Sequence, residues 1–259
     1  MRCQKTHEGD IPALSRLWKQ AFGDTDEEIA RFFREAYPHA SGFAARDGET
    51  LVGMCFALPQ QLACGEDTCS AAYLYAVATD ERWRGQGVCR TLLAFAEKEL
   101  KKRGTDCLML VPADEGLAAM YEKLGFSGAL RRESEAAAPS AAGQAEQVTP
   151  IEYAGLRETL LWDVPHVRYS KAWLEYEALD AAFYALRLGS ASGCAAVRKL
   201  PDGCARVDEL LPDNRMLPAL AQAVDAARYR LPQAPYAMCK WLTARPAGWE
   251  NILLGFDLA

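Results

Sequence analysis

The chain has 259 residues, half of them hydrophobic, with nine cysteines, three histidines and a formal net charge of −6. That is enough for one large or two small domains with a real core. Residues 1–133 carry 17 basic and 20 acidic groups and the remainder 12 and 15, so neither half is a basic arm and nucleic-acid binding has no electrostatic footprint.

No Cys-x-x-Cys pair occurs, and His7, His39 and His166 are isolated, so no metal site is expected. No segment reaches the ~20 apolar residues of a membrane span, and the first residues hold no apolar targeting core. Cysteines scattered through apolar runs suit a reduced compartment. A cytoplasmic chain without nucleic-acid or membrane partners is the expectation.

In chain order, Asp10-Ile11-Pro12 ahead of Leu14, Leu17, Trp18 and Phe22 predicts an amphipathic helix with Asp10 as its N-cap. Residues 24–37, with Ile29, Phe32 and Phe33 on one face, predict a second. Residues 42–46 and 50–58 read as strands around the Asp47-Gly48 hairpin signal, and 69–78 as a third strand. A glycine turn and a helix over 88–103 follow. Lys101-Lys102-Arg103 complements the negative end of that helix, and Gly104 supplies its C′ position. Residues 107–111 read as a buried strand and 116–124 as a short helix closed by Gly125-Phe126.

The Ala/Ser/Pro/Gly/Gln stretch at 136–147 offers little to bury and reads as a linker. This divides the chain into domains at 1–133 and 150–259 joined by a linker at 134–149. In the second half, 150–161 and 171–179 predict helices. Residues 183–188, 194–200 and 204–210 predict strands, 217–229 a helix, and 236–242 and 251–258 two last strands.

Most of the chemistry points to one segment, Val77-Ala78-Thr79-Asp80-Glu81-Arg82-Trp83-Arg84-Gly85-Gln86-Gly87-Val88. An apolar strand runs into an Arg-Gly-x-Gly turn that opens a helix. Glycines let the backbone approach an anion closely, and the first N–H groups of the helix point at it. A nucleotide P-loop is excluded because no Lys-Ser/Thr follows Gly87, and a dinucleotide fingerprint because Arg90 stands where a third glycine is needed. What remains resembles motif A of the GNAT superfamily of N-acetyltransferases, Arg/Gln-x-x-Gly-x-Gly/Ala. Here it reads Arg84-Gly85-Gln86-Gly87-Val88-Cys89, with Cys89 departing from Gly/Ala; Arg82 to Gly87 also fits the formula.

The resemblance implies a mixed α/β (α+β) fold, with a mostly antiparallel central sheet flanked by helices. It also implies acetyl-CoA as co-substrate, its pyrophosphate on Arg84, Gly85, Gln86, Gly87, Val88, Cys89 and Arg90. In that family the strand before the turn is bulged and pairs with pantetheine, which maps to Tyr75, Ala76, Val77 and Ala78, with Ala76 and Val77 preferred. Met120-Tyr121-Glu122-Lys123-Leu124-Gly125-Phe126 is similar to the family's Leu-Tyr-x-Lys-x-Gly-Phe, which makes Tyr121 the general acid for the CoA thiolate. The bland reading of Tyr121 is a ring packed on the core. Asp114 stands where many members have Asn. The order of elements in the second half repeats the first, but its turn reads Leu211-Pro212-Asp213-Asn214-Arg215-Met216, without glycine. A second, degenerate GNAT-like domain is therefore expected, a tandem resembling the enhanced-intracellular-survival type.

The expected activity is acetyl transfer to a primary amine by direct attack in a ternary complex; a non-catalytic acyl-CoA-binding module is the alternative. No general base is readable: Asp80 and Glu81 lie near the turn but read as a solvated loop. Tyr73 and Tyr75 either line an acceptor groove or pack. The expected partners are a small-molecule or peptide amine and, at most, a second copy of the chain.

Overall fold

In the computed structural model, residues 1–233 and 236–256 are described. The chain forms two mainly antiparallel sheets. The first strand, β1 (Arg2–Lys5), and helix α1 (Ile11–Phe22) precede a short α2 (Asp26–Arg31). A long meander follows: β2 (Ser41–Asp47), β3 (Thr50–Cys64) and β4 (Asp67–Thr79). Helix α3 (Val88–Lys101), β5 (Cys107–Leu110), α4 (Glu115–Glu122) and β6 (Ser127–Ala129) complete the first half. The second half runs β7 (Arg132–Ala137), β8 (Gln144–Val148), α5 (Pro150–Leu160), β9 (His166–Arg168) and α6 (Lys171–Glu177). It continues through β10 (Ala182–Leu188), β11 (Ala191–Lys199), β12 (Ala205–Leu211), α7 (Leu217–Leu220), β13 (Arg228–Gln233) and β14 (Ala237–Trp241).

The first sheet has the order β1-β2-β3-β4-β5-β14-β6, with β9 added against β3; the second is β7-β13-β12-β11-β10-β8. Alternation along β4 sends side chains to two different cores. Tyr73 packs on one face with Trp18, Phe32 and Phe56, beneath α1 and α2. Leu74 packs on the other with Val88, Leu92, Tyr121 and Phe126, beneath α3 and α4. A third core fills the second sheet around Val197, Val207, Leu220 and Tyr229. Among the described residues, no helix is long and apolar enough to cross a membrane.

Several sequence expectations are corrected. The stretch 134–149 is not a plain linker. It holds most of β7 and all of β8, the two edge strands of the second sheet. Their side chains are mostly exposed, so backbone pairing with β13 and β10 holds them rather than hydrophobic burial. The halves are also interleaved. The second half supplies β14, which pairs with both β5 and β6, and β9, which pairs with β3. All four residues of β5 are buried, and without β14 one of its edges would hold unpaired backbone groups.

The helix expected over 217–229 stops after Leu220, because Tyr229 is drawn into β13 between β7 and β12. Residues 24–37 are not one helix: α2 gives way to a π turn (Phe32–Ala36) and a 3-10 turn (Tyr37–His39), with Pro38 in the latter. Asp10 occupies the N-cap of α1 but its side chain does not cap it. Instead it accepts from the His7 backbone N–H at 3.0 Å and pairs with Arg46. Of the expected strand 251–258, the described part forms only one bridge, Leu253 to His166; residues 257 and 258 lie outside the described residues.

Candidate active site

The glycine turn folds as the sequence demands. A 3-10 turn (Glu81–Trp83) is capped by the Asp80 carboxylate, which accepts from the Arg82 backbone N–H at 3.0 Å and pairs with the Arg82 guanidinium at 3.2 Å. That guanidinium holds the Asp80 carboxyl below the usual carboxylate range. Gly85 and Gly87 take φ of +74° and +78°, and a Cβ added at either meets no atom within 4 Å. The glycines are there for their left-handed backbone and leave open space above it. Gly87 is the N-cap of α3, and the helical ladder begins with Thr91 N–H to Gly87 C=O at 3.0 Å. The N–H groups of Val88, Cys89 and Arg90 therefore precede the first intrahelical bond. Arg84, Gly85, Gln86, Gly87 and Arg90 are exposed. Val88 is buried, and burial pushes the Cys89 thiol up to about 11, so Cys89 is a packing residue at neutral pH.

Strand β4 is bulged where the resemblance calls for it. Met54 pairs with Ala78 and Phe56 with Tyr75, so Cys55 faces two residues, Ala76 and Val77. Ala76 has φ of +47°, the left-handed region that alanine occupies only under strain. Beyond Tyr73 the parallel pairing of β4 with β5 stops, the last pair being Tyr73 with Met109. The two strands then diverge, and a cavity of about 820 Å³ opens at the split. Tyr73, Tyr75, Ala76, Val77, Leu110 and Tyr121 line it. Because Tyr73 and Tyr121 belong to cores on opposite faces, the cavity crosses the sheet. Leu117 and Tyr121 of α4 line it on one side, and Trp18 and Phe22 of α1 line it on the other.

Tyr121 is only 6% exposed. Its ring stands edge-on to Phe126 at 5.7 Å, and its hydroxyl has no hydrogen-bond partner among the described residues. Burial raises its pKa above the ordinary tyrosine value, with the Cys89 and Cys55 thiols as neighbours. It keeps its proton at all physiological pH. Asp114 caps α4 by accepting from Leu117 N–H at 2.7 Å, which explains a carboxylate at that position.

The sequence reading missed the residues on the α1 side. Gly23 ends α1 in a left-handed turn, and Thr25 starts α2 with a reciprocal cap to Glu28. The elbow between them folds Asp24 back onto α1, where its carboxylate accepts from Trp18 Nε1 at 2.7 Å. Trp18 and Asp24 both line the cavity, and the Trp18 ring stands 5.6 Å from that of Tyr75. Opposite them stand Arg131 from the β6–β7 connection, Glu133 of β7, and Leu200, Arg206 and Arg230 from the second half. The helix-stop and helix-start signals at Gly23 and Thr25 were readable, but not the cavity they face.

The second sheet repeats the first up to this point. Strands β12 and β13 pair in parallel only at Ala205–Tyr229 and Arg206–Arg230. A register shift opposite Ala196 and Val197 leaves Asp208 as an extra residue on β12. Its split is filled by ion-paired side chains. Asp208, fully buried, meets Arg198 at 2.6 Å, Arg206 at 3.4 Å and Arg131 at 3.7 Å. The turn after β12 has no left-handed glycine, Pro212 lacks an N–H, and α7 is a single turn of four residues. No anion cradle is built there.

Residues 2–129 match a family model described as an acetyltransferase (GNAT) domain. By this match, residues 2–129 carry a domain of the GNAT acetyltransferase family. Solved structures extend the likeness to both halves. A GCN5-related N-acetyltransferase from Kribbella flavida is 15% identical, with 93% of this chain and 71% of that one covered at a TM-score of 0.72. One from Anabaena variabilis is 14% identical, with 93% and 73% covered at 0.71. Eis1 from Mycobacterium abscessus is 14% identical, with 88% and 64% covered at 0.60. At such identities the likeness is one of fold, and it spans about nine-tenths of this chain. Comparison with curated proteins finds no sequence match.

Proposed function

We propose that this chain transfers an acetyl group from acetyl-CoA to a primary amine by direct attack in a ternary complex. The observation that carries the reading is a single cavity joining the bulge of β4, the β4–β5 split and Tyr121, next to an open glycine cradle at the start of α3. Acetyl-CoA supplies the activated thioester. The N–H groups around Gly85 to Arg90 and the positive end of α3 suit its pyrophosphate. The strained Ala76–Val77 backbone offers fixed polar groups to pantetheine and to the acetyl carbonyl. The cofactor enters from the α3 face and the amine from the α1 face. As the new C–N bond forms and the C–S bond breaks, the Tyr121 hydroxyl gives its proton to the departing sulfur, and the amine proton leaves to solvent. A phenol whose pKa burial has raised holds its proton until the sulfur departs, and solvent returns that proton before the next turnover.

Release of CoA thiol with a panel of amines tests the reading. Tyr121→Phe should lower kcat by about 10²–10⁴-fold, the usual contribution of a positioned acid, with acetyl-CoA affinity little changed. A loss below about ten-fold removes Tyr121 from the acid role. Binding of acetyl-CoA without turnover of any amine would favour a non-catalytic acyl-CoA-binding module.

A further inference from the structure

The second half contributes one wall of the acceptor cavity, and that wall is rich in guanidinium groups. Arg131, Arg206 and Arg230 face the same 820 Å³ space as Tyr121 and Ala76. Two of them are held by carboxylates, Asp208 and Glu133. Asp208, 1% exposed, lies 3.4 Å from Arg206 and 3.7 Å from Arg131. Glu133, which itself lines the cavity, bridges the same pair at 3.4 Å and 3.1 Å. Arg131 also stacks over the Tyr236 ring at 5.0 Å. These contacts fix planar forks in place before any ligand arrives, the arrangement arginine uses for carboxylates. Arg230 is the more exposed member. Its partners Asp202 and Glu135 are about half exposed, at 2.8 Å and 3.6 Å. Surface pairs of that kind contribute little, so a ligand anion displaces them easily.

The opposite wall has the other sign. Asp24 is half-buried and bonded to Trp18 Nε1, with no cationic partner among the described residues. The cavity is thus polarised across the path to Tyr121: a carboxylate under α1, three guanidiniums against the single Glu133 carboxylate on the facing wall, and aromatic rings between.

Resting on the acetyltransferase reading above, we propose that the acceptor is an amine that also carries a carboxylate, an amino acid in its simplest form. Its amine lies on the Asp24 side near the bulge, and its carboxylate is held by Arg206 and Arg230, with Arg131 behind them. The degenerate half then has a defined role: its own split no longer takes a cofactor but carries the specificity wall. The bond made is an amide at the amine nitrogen, and the carboxylate is not consumed.

The test is initial rates at saturating acetyl-CoA for matched pairs, lysine against cadaverine and phenylalanine against phenethylamine. The expected result is a kcat/KM at least about ten-fold higher for the carboxylated member, as a charge-assisted contact implies. Arg230 is 35% exposed at its side chain, so Arg230→Gln does not threaten the fold. It should collapse the preference by raising KM for the carboxylated member about ten-fold more than for its partner. Equal or better turnover of the decarboxylated amines overturns the proposal. So does turnover of neither class by protein that binds acetyl-CoA in calorimetry. Absence of acetyl-CoA binding overturns the acetyltransferase reading itself.

Discussion

Replacing Arg157 with methionine probes the tie between helix α5, strand β12 and the C-terminal segment. Arg157 and Glu209 are 1% and 3% exposed and meet through two bonds, Nε to Oε2 at 2.7 Å and Nη2 to Oε1 at 3.1 Å. Tyr153 donates to the same carboxylate, and Arg157 also donates to the carbonyls of Val167 and Leu254. Arg157→Met leaves the Glu209 charge buried with only the Tyr153 hydroxyl, and it strips two carbonyls of a donor. Breaking a buried pair in this way costs about 3–5 kcal/mol, a large share of the ~5–15 kcal/mol by which a domain is stable. At roughly 2–4 °C per kcal/mol for a chain of this size, Tm should fall by about 6–20 °C. Arg157→Met with Glu209→Leu removes both charges and should recover much of the loss. Urea and thermal unfolding of the two variants measure this. A single variant within about 1 kcal/mol of wild type would refute the reasoning.

Two further expectations concern pH. Burial raises the Cys55 and Cys194 thiols above their ordinary value, so the neutral form is favoured in the folded state. Their contribution to stability is intact below about pH 8.5 and is lost as the unfolded thiols ionise above it, about 1.4 kcal/mol each at pH 9.5. Urea midpoints that stay flat from pH 7.5 to 9.5 would contradict this. Burial likewise keeps Tyr121 protonated, so kcat should show no loss of the acid up to about pH 10. A falling limb near pH 8 that disappears in Tyr121→Phe would point to an ionised phenol.

What was legible in the sequence was local. The Arg84–Gly85–Gln86–Gly87 turn needs only its own residues and the helix that follows, and the bulge at Ala76 came with the family pattern. Pairing across distance was not legible. Nothing in Ala237-Met238-Cys239-Lys240-Trp241 states that it lies between β5 and β6, because that choice belongs to the edges awaiting partners. The alanine-rich run after Leu217 has good helix propensity, yet Tyr229 gains more from a place between two strands. Strand β7 alternates charged and small residues with little burial, so composition hid it. Trp18 read correctly as core, but its indole N–H, which orients Asp24 toward the cavity, has no signature in the sequence.

Calorimetric titration with acetyl-CoA of wild type beside Gly87→Glu tests the cradle most directly. The substitution sets a side chain at a φ of +78° and a negative charge where the pyrophosphate is expected. One saturable site in wild type, lost in the variant, is the predicted result. Two sites would show that the second half still binds, and no binding by wild type, or micromolar binding retained by Gly87→Glu, would contradict the assignment of this turn.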